Sequence, residues 1–233
     1  MLPFWWNNLT LLEWQRRWLL HRSVSGPLNS FLQHPMPKRD ALISTLDFMA
    51  LDLETTGLFA KRDEILSIGM VQIQGCRIHL NTASHMLVRP QQAIPEESAI
   101  IHGVTDDMSR TGKRLESVLP MVLDALKGKV LIAHYARLEI TFLQAACRRI
   151  YGYPLVLPVV DTLRMESTRL KHSNRYAKAG DLRLDALRAS YSLPRYRAHN
   201  ALSDALGAGE LFLAMIAHRA GSGEMLTLGE VMR

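Results

Sequence analysis

The segment Phe48-Met49-Ala50-Leu51-Asp52-Leu53-Glu54-Thr55-Thr56-Gly57 constrains the fold of this chain more than any other. Its apolar run reads as a buried strand. In a strand alternate side chains share a face, so Asp52 and Glu54 point the same way, one pleat apart. Two carboxylates at about 4 Å repel by roughly 4 kcal/mol at an effective dielectric of about 20. A cation or a shared proton is the usual way to neutralise such a pair. Thr55-Thr56-Gly57 then supplies a turn whose backbone N–H groups suit a phosphate. The expectation is a divalent-metal site at a strand end, handling a phosphodiester.

Charge and cysteine usage bound the setting. A net charge of +6 and a pI near 9.5 suit a polyanionic partner. Cys76 and Cys147 lack metal-ligand spacing, and a pair so sparse reads as reduced and intracellular, hence cytoplasmic. The N-terminal apolar stretch is interrupted by Asn7, Asn8, Glu13, Arg16 and Arg17, unlike a signal peptide. No apolar run is expected to reach the length of a membrane span.

Residues 1–45 form a compositionally distinct extension that holds all four tryptophans, Trp5, Trp6, Trp14 and Trp18. Thr10 to Glu13 resembles a capping box opening a helix. Glu13 can pair with Arg16 and Arg17. Leu11, Trp14 and Trp18 make an apolar stripe, Gly26-Pro27 is read as the helix stop, and 34–39 as a linker. The plainer reading is a helix packed on its own domain. The sharper one is a docking segment for another protein or a membrane surface.

Residues 46–220 read as a mixed α/β domain, followed by a short tail at 221–233. A strand ends at Glu54. Ile65 to Gln74 is a second strand, Gly75 a turn and Arg77 to Asn81 a third, with His85 to Val88 as a segment that could continue the sheet. Glu96 to Ile101 reads as a short helix broken at Gly103. Helices are expected over Leu115 to Leu126, Arg137 to Tyr151 and about Ala201 to Arg219, and strands over Val130 to Ala133 and Val156 to Asp161. Three meander strands followed by strand and helix units imply a mixed five-stranded sheet, three strands antiparallel and two parallel, flanked by helices.

Further acids stand out. Glu139 shares a helix face with Phe142, Leu143 and Ala146, and a glutamate on an apolar, inward face needs a partner. A cation would serve; so would an ordinary ion pair with Arg137 or Arg149. Asp204 lies in the first turn of the last helix, where an acid also suits the helix dipole. His199 precedes it by five residues, after Arg195-Tyr196-Arg197. Asp161 reads most simply as a helix cap. Each signal alone is common, and the combination is not.

Taken together these residues resemble the DnaQ-like, DEDDh class of 3′–5′ exonucleases, whose fold is that of ribonuclease H. Asp52, Glu54 and Thr55-Thr56-Gly57 match its first motif. Ile101-His102-Gly103-Val104-Thr105 looks like its I-H-G-I-T element. Residues 133–143 match the second motif, usually H-N-A-x-F-D-x-x-F-L, and His199 to Ala205 the third. In the second motif Glu139 stands where the family has Asp, and Tyr135 and Leu138 where it has Asn and Phe.

The resemblance implies release of nucleoside 5′-monophosphates from a 3′ end, with two divalent cations, Mg²⁺ or Mn²⁺, held by Asp52, Glu54, Asp204 and Glu139. His199 would serve as general base, as an imidazole titrating near neutrality can. It further implies that Thr55, Thr56 and Gly57 grip the terminal phosphate or 3′-OH, that Leu58 wedges against the last base, and that Ile101 and His102 line the terminal pocket. The expected partner is a single-stranded nucleic acid end, DNA favoured. Residues 164–197 carry nine Arg and Lys against three acids and could guide the strand, or be ordinary solvated surface. The competing reading is a weakly active or non-enzymatic module that binds nucleic acid or scaffolds replication or repair machinery. Proofreading, RNA-end trimming and clearance of short oligonucleotides stay open.

Overall fold

A computed structural model of the 233-residue chain describes residues 8–22, 24–95, 111–196, 199–221 and 225–232. The core is a five-stranded sheet in the order β3-β2-β1-β4-β5. Its strands are β1 (Asp47–Thr55), β2 (Ile65–Gln74), β3 (Arg77–Leu87), β4 (Val130–Ala133) and β5 (Val159–Asp161). β1, β2 and β3 pair antiparallel, while β4 runs parallel to β1 and β5 parallel to β4. Gly75 and Cys76, at φ +55° and +56°, make the two-residue turn that joins β2 to β3, a geometry matched to the twist of a hairpin.

The helices are α1 (Leu9–Leu20), α2 (Gly26–Leu32), α3 (Leu115–Leu126), α4 (Arg137–Tyr151), α5 (Thr162–His172), α6 (Leu184–Ser190), α7 (Ala201–Arg219) and α8 (Leu228–Val231). α7 packs on β1 and β2. The Phe212 ring lies 5.1 Å from that of Phe48, and the Cβ of Ala50 faces Gly209. Even-numbered residues of β1 therefore point at α7, and Asp52 and Glu54 continue that series toward its N-terminal end.

Gly69 permits this approach. It pairs with Asp52 across β1 and β2, and a Cβ there would lie 2.1 Å from the backbone carbonyl of Ala201. The helix start consequently seats directly against the sheet. By length and mean hydropathy α7 is also apolar enough to cross a membrane, which corrects the expectation that no run reaches that length; half of that stretch is buried in this fold.

Several other expectations are corrected. Gly26-Pro27 opens α2, because Pro suits the first turn of a helix, where its missing N–H costs nothing. α1 is capped by Asn8, whose side chain accepts from the Leu11 N–H at 3.1 Å, in place of a capping box at Thr10. Its buried face is Leu9, Leu12, Arg16 and Leu19, so the Trp stripe faces solvent, with Trp14 62% and Trp18 44% exposed. β1 runs one residue further, to Thr55; β3 is one continuous strand; β5 spans only Val159–Asp161. α6 and α8 add to the expected helices, and α5 follows the cap expected at Asp161. The short helix expected at 96–101 lies outside the described residues.

α1 and α2 belong to the same apolar cluster as the sheet, through Leu12, Leu28, Phe31 and Leu32, and α2 packs on α3. The Glu13 carboxylate accepts from Arg16 and Arg17 at 2.7 and 2.8 Å and from the Met36 N–H at 3.2 Å, tying α1 to the segment beyond α2. These bonds, led by Arg16, pull its carboxyl down to about 2. At the other end, residues 226–229 bond to 39–43: Ile43 N–H to Leu226 O at 2.9 Å, Leu228 N–H to Ala41 O at 2.9 Å and Gly229 N–H to Arg39 O at 2.8 Å.

Candidate active site

The carboxylates of Asp52, Glu54 and Asp204 converge, with one oxygen from each lying within 4.8 Å of the others. β1 contributes the first two from one face. Asn200, whose side chain accepts from the Ser203 N–H, starts α7 so that Asp204 falls in its first turn. Burial and the charges of Glu139, Glu54 and Asp204 push the Asp52 carboxyl well above the ordinary range. Burial, then Glu54, raises Asp204, partly offset by the N–H of His199.

Glu139 adjoins this trio from the first turn of α4. It is buried, and its Oε2 has no hydrogen-bond partner among the described residues. Burial pushes its carboxyl up to about 8, with Asp161 and Glu54 adding and the Leu53 N–H opposing. An ion pair with Arg149 is not its solution, since Arg149 reaches Glu116 at 3.6 Å. The raised carboxyls of Asp52, Asp204 and Glu139, with a buried oxygen that no described residue bonds, fit a hard divalent cation, which takes oxygen ligands and offsets their repulsion.

His199 takes a left-handed backbone, φ +62°, and its N–H donates to Asp204 Oδ2 at 2.8 Å. It lines a cleft of about 990 Å³ together with Asp52, Asp204, Tyr135 and Tyr196. Arg188 braces the approach to that loop. Its guanidinium donates to the carbonyls of Gly207 (2.8 Å) and Pro194 (2.7 Å), pairs with Glu210 (2.8 Å) and lies 4.4 Å over the Tyr196 ring. Part of the basic run therefore holds structure together: Arg188 is spent on this brace, and Arg169 pairs with Glu166.

The opposite wall follows β4. His134 clamps Thr162 Oγ1 at 2.8 Å and the Leu182 carbonyl at 2.9 Å, and burial depresses its pKa to about 4. Asp161 does cap α5, accepting from Leu163 and Arg164, and it also accepts from the N–H groups of Tyr135 (3.0 Å) and Ala136 (3.2 Å). Burial raises its carboxyl and these four donors oppose the shift.

The turn after β1 is more occupied than the sequence suggests. The Thr56 N–H donates to the Glu64 carbonyl at 2.9 Å and is already spent, so a phosphate grip through that group is corrected. Thr55 Oγ1 donates to the Gly57 carbonyl at 2.7 Å, and Asp63 crowds Gly57 so closely that a Cβ would lie 2.4 Å from its carboxylate. Leu58 is 74% exposed beside this turn. Ile101 and His102 lie outside the described residues. Gly69 and Arg188 escaped the sequence reading, and His134 entered it only as the first residue of the second motif. A glycine inside an apolar strand was the one available signal, marking close backbone approach.

A family model described as Exonuclease matches residues 49–212. The chain is 35% identical over 173 residues to the DNA polymerase III subunit epsilon of Treponema pallidum, covering 74% of this chain and 78% of that protein. It is 33% identical over 177 residues to the PolC-type DNA polymerase III of Thermotoga maritima, covering 76% of this chain but only 12% of the relative's length. Among solved structures it resembles an E. coli ExoI–ssDNA complex (TM-score 0.64, 13% identity, 76% of this chain and 41% of that one). It also resembles the nuclease domain of 3′hExo, a DEDDh family member bound to rAMP (TM-score 0.62, 15% identity, 76% and 95%).

Proposed function

This chain belongs to the exonuclease family, and from that premise we propose that it hydrolyses terminal phosphodiesters at the 3′ end of single-stranded nucleic acid, DNA favoured, releasing nucleoside 5′-monophosphates. The observation that carries the reading is the convergence of Asp52, Glu54 and Asp204 within 4.8 Å, on a cleft that His199 also lines.

In this proposal Asp52, Glu54 and Asp204 hold two divalent cations, Mg²⁺ or Mn²⁺, with Glu139 supporting from α4. When bound, such ions acidify water and neutralise charge on the phosphoryl oxygens. His199 accepts the proton of the attacking water, and Asp204 holds its backbone in place through the 2.8 Å bond. Once the cations are bound, Glu139 would add a negative charge to the cluster, and its extra methylene relative to aspartate suits a supporting place. The turn from Thr55 to Gly57 positions the terminal nucleotide through groups other than the Thr56 N–H, with Leu58 against the last base. The domain at 46–220 acts on polymer ends in the cytoplasm, in replication or repair. The chain spans only 12% of the length of the PolC-type relative, and a polymerase-associated role is proposed from its likeness to polymerase III proteins.

The test uses end-labelled DNA and RNA oligonucleotides with Mg²⁺ or Mn²⁺, scored for polarity and product. Stepwise loss from the 3′ end with 5′-monophosphate product is expected. Asp52→Ala should lower kcat/KM by about 10²–10³-fold, the scale of removing a preorganised charge-stabilising group. Equal inertness of wild type and variant on every substrate would leave a binding or scaffolding module instead.

A further inference from the structure

Tyr135 has a backbone that its side chain does not favour. At φ +64° it sits in the left-handed region, where a bulky aromatic is an outlier. Such strain persists only when the surroundings over-determine it, and an observed outlier points to function. The surroundings here are explicit. Asp161, itself held by two N–H donors of α5, fixes the N–H groups of Tyr135 and Ala136. Nothing in this arrangement buries the ring: Tyr135 is 51% exposed, on the wall of the cleft that Asp52 and His199 share. The strained backbone holds a solvent-facing aromatic that gains nothing for the core.

The cleft also gives the ring a setting. It reaches from the acids over the β4 and β5 side, away from the turn at Thr55 to Leu58, which lies between β1 and β2. Arg183 and Arg195 line the same walls, and Tyr196 presents a second aromatic, its hydroxyl donating to Glu210 at 2.8 Å and one side braced by Arg188. Aromatic faces interleaved with guanidinium groups suit a single strand, whose bases stack and whose phosphates are anionic.

We propose that Tyr135 is a stacking platform for the base of the penultimate nucleotide, with Arg183 and Arg195 beside the phosphates that follow it. The proposal rests on the exonuclease reading above and gives that site a second nucleotide subsite. With the terminal nucleotide at the Thr55-to-Leu58 turn and the scissile phosphate at the acids, the next base falls on the Tyr135 side.

A cycle of substrate and enzyme changes tests it. Oligonucleotides with a normal or abasic penultimate nucleotide, and others abasic at the terminal one, are digested by wild type, Tyr135→Asn and Tyr135→Phe. Asn tolerates the left-handed backbone, so Tyr135→Asn removes the ring without adding strain, and Phe keeps the ring. For wild type and Tyr135→Phe, loss of the penultimate base should lower kcat/KM about tenfold, the scale of base–aromatic stacking. For Tyr135→Asn the same loss should change it less than about twofold. An equal effect of the penultimate base in all three enzymes, or a coupling of Tyr135 to the terminal base instead, overturns the inference while leaving the exonuclease reading intact. A wild type that digests none of the oligonucleotides overturns both.

Discussion

At the scale of single residues the acids set the behaviour of the site. Glu139 has its carboxyl pushed up to about 8 by burial, against an ordinary value of 4.5. A carboxyl raised on folding favours the folded state below its unfolded pKa, and that contribution is lost as pH rises through the folded value. The metal-free protein should therefore melt at lower temperature at pH 8.5 than at pH 5.5. Glu139→Gln, which cannot ionise, should lose less over the same interval, since the raised carboxyls of Asp52, Asp161 and Asp204 keep part of the slope. Differential scanning fluorimetry in chelator reads this, and parallel melting-temperature slopes for the two proteins would refute it. Divalent cation should then rescue wild type at pH 8.5 more than the variant. Asp52, Glu54, His199 and Asp204 were all legible in the sequence, because their spacing on a strand and at a helix start fixes their faces. Tyr135 was noticed only as a departure from a motif. Its backbone angle depends on Asp161, twenty-six residues away, and no local pattern encodes that.

At the scale of elements the central feature is the fit of α7 on β1 and β2. Gly69→Ala places a methyl 2.1 Å from the Ala201 carbonyl carbon, and backbone cannot rotate aside as a side chain would. Overpacking of this kind costs about 3 kcal/mol, or a melting temperature lower by about 6–12 °C in a domain this size. The same displacement moves Asp204 away from Asp52, so the folded fraction should also lose Mn²⁺-induced stabilisation; a variant that melts lower yet binds Mn²⁺ normally would contradict this. Strands β1, β2 and β4 and helix α7 could be read ahead from their apolar runs, and α3 and α4 from an amphipathic helical period. α6 could not, and α5 only through its cap at Asp161: Thr162–His172 is dominated by polar and charged residues, and its stability comes from that cap and tertiary contacts such as Glu166 with Tyr191 at 2.9 Å. The solvent-facing Trp14 and Trp18 mislead for a related reason. Periodicity finds a stripe, but which stripe is buried depends on the partner, here α2 and the Arg16 bond to the Leu32 carbonyl.

At the scale of the molecule, the segments outside the sheet are joined to it and to each other. Leu226, Leu228, Val231 and Met232 are buried in the main core, and each apolar side chain of this kind contributes about 1.5–3 kcal/mol. Removing residues 225–233 should therefore cost a large share of the roughly 5–15 kcal/mol typical of a folded domain. The expected outcome is a melting temperature lower by about 10 °C or more, or insoluble protein; a truncated chain with unchanged melting would show that this tail is dispensable. The hydrogen bonds between 39–43 and 226–229 add a further consequence. Two stretches almost two hundred positions apart must open together, so their amides should exchange with deuterated solvent at one common rate. A protease nick near Lys38 and a premature stop after Gly221 would then be two routes to the same unravelling.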